Sequence, residues 1–72
     1  MTDAEIMQGY EEMTEMPVDR KFFAKGLSII EGMIQNYSDR VAAGGDLSSC
    51  ECLNVLNLYD EKKCWTVWRD RA

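Results

Sequence analysis

Residues 22 to 41 read FFAKGLSIIEGMIQNYSDRV, and this stretch decides the fold class. Phe23, Leu27, Ile30, Ile34, Tyr37 and Val41 follow one another at steps of four, three, four, three and four, flanked by Phe22, Ile29 and Met33. Alternating steps of three and four return each side chain to one side of an α-helix, and a mean period of about 3.5 marks a helix that lays a seam against another helix. The spacing predicts one long helix over roughly residues 18 to 43, beginning at Val18 or Asp19. Gly26 and Gly32 each weaken such a helix by about 1 kcal/mol relative to alanine, which predicts a close backbone approach at one of them.

Working outward toward the N-terminus, Thr2 followed by Glu5 has the form of a capping box, in which each side chain satisfies a free backbone donor of the first turn. A first helix is expected over about residues 3 to 15, with Ile6, Tyr10 and Met13 on one narrow face and Glu5, Glu11, Glu12 and Glu15 elsewhere. Pro17 ends it at about Met16, because a residue preceding proline is pushed out of the helical region.

In the other direction, AAGGDLSSCE (residues 42 to 51) reads as a tight connection between helices. Gly44 or Gly45 can take the left-handed conformation that closes a helix, and Ser48 with Glu51 forms a second capping box. Leu47 is expected to pack on Cys52 as a hydrophobic staple. A third helix over about residues 49 to 70 then runs antiparallel to the second, because the loop is short. Its apolar residues Leu53, Leu56, Cys64, Val67 and Trp68 line up only if Asp60 sits in the seam, so a break is expected near YDEKK, residues 59 to 63. CWTVW (64 to 68) has strand propensity, but no other segment offers it a pairing partner. The expected fold is all-α: an antiparallel helical hairpin with an additional short N-terminal helix, a three-helix arrangement in one domain spanning residues 1 to 72. Its seam sets Phe23, Leu27, Ile30, Ile34, Tyr37 and Val41 against Leu53, Leu56 and their neighbours.

A chain of 72 residues has a thin core. Domains below roughly 70 to 80 residues usually need a staple, and dimerisation is the expected completion here. No apolar run approaches the roughly 20 residues of a membrane span, and the acidic start MTDAEIMQGYEEM is unlike a secretory signal, so a cytoplasmic protein is expected. Three cysteines are an odd number, which fits a reducing compartment better than a disulfide framework.

The cysteines also argue against a metal. Cys50 and Cys52 lie about 200° apart on a helix, and Cys50 and Cys64 are separated by roughly 21 Å of helical rise. A structural zinc wants four Cys or His ligands, and there is no histidine. The cysteines read as small packing residues, with Cys52 expected to be the buried one, and no cofactor is implied. Nor does any catalytic constellation appear: histidine is absent, AAGGD lacks the lysine and length of a phosphate loop, and Glu11 with Glu12 point about 100° apart. The chain is not expected to be an enzyme.

The formal charge of −5 is unevenly placed. Residues 1 to 16 hold five acids and no base, whereas Lys62, Lys63, Arg69 and Arg71 face only Asp70 in the last eleven residues. Those four bases, interleaved with Trp65 and Trp68, give an alternative reading in which the tail stacks and neutralises a nucleic acid. The acidic head opposes it, since a duplex would be repelled there. Protein binding is the preferred function. Trp65, Trp68 and Arg69 are residue types enriched at interface hot spots, and Tyr10 with Met13 adds an adaptable apolar surface on the first helix. A non-enzymatic regulatory protein that binds a partner protein through helix faces, as a homodimer, is the resulting expectation. In kind, by size and charge alone, the chain is similar to regulators and inhibitors encoded by phages and mobile elements.

Overall fold

A computed structural model describes residues 2 to 72. The described residues form three helices and no strand: α1 (Asp3–Thr14), α2 (Arg20–Ala42) and α3 (Ser49–Arg71).

Each helix begins where its local chemistry predicts. The Thr2 hydroxyl accepts the Glu5 N–H at 3.2 Å and the Glu5 carboxylate accepts the Thr2 N–H at 3.3 Å, so the first capping box is complete. That backbone bond from Thr2, foremost, holds the Glu5 carboxyl below its ordinary range. α1 ends at Thr14, two residues short of Met16, and the Thr14 hydroxyl donates to the Glu11 carbonyl at 2.8 Å. Asp19 is the cap of α2 and not its first residue, since its carboxylate accepts the Phe22 N–H at 3.1 Å.

The end of α2 is a Schellman motif. Gly45 N–H donates to the Arg40 carbonyl at 2.9 Å and Gly44 N–H to that of Val41 at 3.0 Å. Gly44 carries the left-handed φ of 88° that this closure requires. A Cβ on Gly45 would lie 2.9 Å from Cγ of Arg40, so the second glycine is needed for space. The Ser48–Glu51 box then starts α3, with both bonds at 3.2 Å.

α3 runs unbroken through residues 59 to 63, where a break was expected. The expectation rested on the stripe Leu53, Leu56, Cys64, Val67 facing α2 with Asp60 buried in it. In the structure that stripe points to solvent, so Asp60 needs no accommodation. The half-buried face is instead Glu51, Val55, Leu58, Lys62, Trp65, Thr66 and Arg69.

α2 lies between the other two helices. Along its α3 side, Gly26 meets Trp65, Glu31 meets Lys62 at 3.8 Å and Arg40 bonds Glu51. Leu27 and Ile30, both buried, lie on the strip between Gly26 and Glu31. The helix approach is close at Gly26 because a Cβ there would sit 2.2 Å from the Trp65 ring. Trp65 stacks on Phe22 at 5.8 Å between centroids, with Phe23 and Trp68 around it at 5.7 and 5.9 Å.

Toward α1, the residues flanking the sequence seam form the core proper. Ile29, only 1% exposed, packs with Ile6 and Met13, and Phe22, Met33 and Trp65 surround them. Gly9, between Ile6 and Met13 on the buried face, lets α1 close on Ile29: its Cβ would stand 3.1 Å from that side chain. Lys25 and Glu12 bridge the edge at 2.9 Å, a bond that lowers the Glu12 pKa.

Candidate protein-binding surfaces

α1 lies along α2 with no close backbone approach to α3, and a groove is left between α1 and α3. Its volume is about 520 Å³. Ile6, Met33, Tyr37 and Leu58 supply an apolar floor, and Met7 and Tyr10 form the α1 wall. Asn36, Asn54 and Asn57 line it with amide groups. Asp3, Glu61 and Arg40 stand on its margin. Arg40 is held there by Glu51 and lies 5.4 Å from the centre of the Tyr37 ring.

Tyr10 donates its hydroxyl to Sδ of Met33 at 3.8 Å. Partial burial, reinforced by the negative charge of Glu61 across the groove, pushes its pKa up. The phenol therefore stays neutral throughout the physiological range, with its O–H engaged by Met33 and its oxygen able to accept at the groove wall.

The outer face of α3 is a second surface. Leu53 and Leu56 are 60% and 61% exposed, and Val67 and Cys64 continue their row, with Asp60 and Lys63 between them. α3 thus carries apolar residues on two opposite sides, one turned to α2 and one turned outward. A smaller hollow of about 340 Å³ lies near the loop, where Leu47, Val41, Val55 and Tyr59 gather.

The residues singled out by sequence fall in different places. Tyr10 and Trp68 are exposed, and Tyr10 lines the groove. Met13 is buried under α1, and Trp65 is wedged over Gly26, so both are taken up by packing within the chain. Arg69 is half-buried and pairs with Asp70 at 3.3 Å. The four tail bases do not form one strip: Lys62 is turned inward to Glu31, whereas Lys63 and Arg71 are on the exposed side.

The cysteines correct one expectation. Cys52 is exposed, as are Cys50 and Cys64, because the inward face of α3 runs through Glu51, Val55, Leu58, Lys62 and Trp65 and leaves all three cysteines off it; Leu47 lines the hollow near the loop with Val55. Among the described residues no group of three or more Cys, Asp or Glu side chains could hold a metal ion, and no helix is long and apolar enough to cross a membrane. The groove itself was not foreseen. Its traces in the sequence are Tyr10, singled out for its residue type, and the asparagines Asn36, Asn54 and Asn57, unremarkable until α2 and α3 are placed side by side.

No protein family, characterised protein or solved structure was found to match this chain.

Proposed function

We propose that this chain is a small acidic regulatory protein without enzymatic activity, which binds a partner protein through its helix faces. Its scaffold is an antiparallel hairpin of α2 and α3, and its working form is a homodimer. The observation that carries the reading is the open groove between α1 and α3, with its apolar floor, amide lining and neutral Tyr10 hydroxyl. Such a composition suits an amphipathic helix, whose apolar ridge fills the floor while its backbone and polar flanks meet the amides. Asp3 and Glu61 on the margin, with the four other acids of the N-terminal segment, favour basic flanks on that helix. Three surface thiols, an odd number, fit a reducing compartment such as the cytoplasm.

A dispersed set of tail bases supports the nucleic-acid alternative less well than a clustered one would. The two readings separate in one experiment. The protein is immobilised as the wild type, as Met7→Glu with Tyr10→Ala in the groove, and as Lys63→Gln with Arg71→Gln in the tail. A specific protein retained by the wild type and the tail variant but lost by the groove variant supports the reading. Salt-sensitive retention of nucleic acid, lost only in the tail variant, would replace it.

A further inference from the structure

We infer that the outer face of α3 is the contact between two copies of this chain, paired antiparallel so that Asp60 of each meets Lys63 of the other. The inference rests on the homodimer proposed above and goes beyond it by naming the face, the direction and the register.

The face is an unpaired helical seam. Leu53, Leu56, Asp60, Lys63 and Val67 follow at steps of three, four, three and four, and all are exposed. From Leu53 to Val67 the row spans roughly 21 Å. Leucines this open on a helix whose other side is already packed call for a cover. The molecule also has room for one. Its radius of gyration is 13.2 Å, against about 11 Å for a compact chain of this length, and it is only 17 Å across its thinnest dimension.

Charge chooses among the possible pairings. Parallel pairing about a two-fold axis sets each residue against itself, so Asp60 would face Asp60 and Lys63 would face Lys63. Antiparallel pairing with its axis between Glu61 and Lys62 sets Asp60 against Lys63 twice and Leu56 against Val67 twice, and leaves Leu53 at each rim beside Asp70. A slip of one heptad toward the C-terminus brings Asp60 onto Asp70, and a slip the other way leaves Asp60 and Lys63 on Leu56 and Leu53. Only the first antiparallel register pairs both charges while keeping Leu56 on Val67, with Leu53 at the rim. In that register the ion pairs occupy the centre and select the partner, while the flanking Leu56–Val67 layers supply the apolar contact.

The test is a dilution series of the full chain by size-exclusion chromatography with light scattering. The wild type is expected to be a dimer at high micromolar concentration. Asp60→Lys and Lys63→Asp each turn two attractions into two repulsions and should weaken the dimer about tenfold or more. The double variant Asp60→Lys with Lys63→Asp restores both pairs and should return the dissociation constant to near the wild-type value. Both positions are exposed, so helicity by circular dichroism should be unchanged in all variants. A monomeric wild type, single variants that dimerise normally, or a double variant no better than either single one would overturn the inference. A monomer that still captures a partner through Tyr10 would leave the groove reading intact. A rescued dimer that captures nothing would do the reverse.

Discussion

α2 and α3 are the same length, 23 residues each, yet they solve different problems. α2 is the centre of the molecule, with Gly26, Leu27, Ile29 and Ile30 buried and neighbours on two sides. α3 has no fully buried residue, and its apolar side chains are divided between a face against α2 and a face against solvent. A helix with one wide apolar sector commits that sector to the core. A helix with two narrow ones can serve a fold and an interface together, at the cost of contributing less to either. The difference teaches that in so small a chain one helix can be committed to packing while another keeps an apolar face open to solvent.

If that division is right, equal truncations in the two helices must have unequal effects. Ile29→Ala removes a side chain that is 1% exposed and should cost about 2 to 4 kcal/mol, measured by urea unfolding with helicity as the probe. That is a large part of the roughly 4 to 11 kcal/mol expected of a domain this size. Gly26→Ala comes next. The added Cβ cannot coexist with the Trp65 ring at 2.2 Å, so overpacking of about 1 to 3 kcal/mol outweighs the roughly 1 kcal/mol gained in helix propensity. Its signature is a shift in tryptophan emission, because Trp65 must move. A Gly26→Ala protein more stable than the wild type would show that α2 and α3 do not approach there.

Leu53→Ala is the complementary test on α3. At dilutions where the chain is monomeric it should change stability by no more than about 0.5 kcal/mol, because the side chain is already mostly in water. A loss comparable to that of Ile29→Ala would place Leu53 in the core and erase the contrast between the helices.

The same contrast explains what could be read from sequence. In α2 one period dominates, so Phe23 to Val41 announces the helix, and the boundaries follow from local chemistry at Thr2, Ser48, Glu51 and Gly44. Each of those features is decided within a few residues. The inward face of α3 is not. Leu53, Leu56, Cys64 and Val67 make a more apolar row than Val55, Leu58, Lys62 and Trp65, so a local reading chooses the wrong side. What reverses the choice is the fit of one indole over Gly26, thirty-nine positions away in the chain. The groove is illegible for the same reason, since it exists only because α1 lies along α2 with no close backbone approach to α3. Tyr10 was singled out for its residue type, and only the packing of Ile6, Gly9 and Met13 shows that it lines a wall.

The smallest expected effect concerns the junction between the two helices. Glu51 accepts the Ser48 N–H with one carboxylate oxygen and Arg40 with the other, so a single side chain caps α3 and ties it to the last turns of α2. Its pKa is lowered, first by the backbone bond from Ser48 and then by the bond from Arg40. A carboxyl whose folded pKa lies below its unfolded value contributes stability above that unfolded value of 4.5, and the contribution is lost as pH falls through the folded pKa. Stability should therefore be flat from neutral pH down to about 5 and then decline. Glu5 and Glu12, whose pKa values are also lowered, add to the same decline. Glu51→Gln should remove the part that belongs to the junction, leaving a shallower acid limb in urea unfolding measured from pH 7 to pH 3. If the limb keeps its full slope, the carboxylate is not what joins α2 to α3, and the Schellman turn at Gly44 and Gly45 alone sets the angle at which α3 presents its two faces.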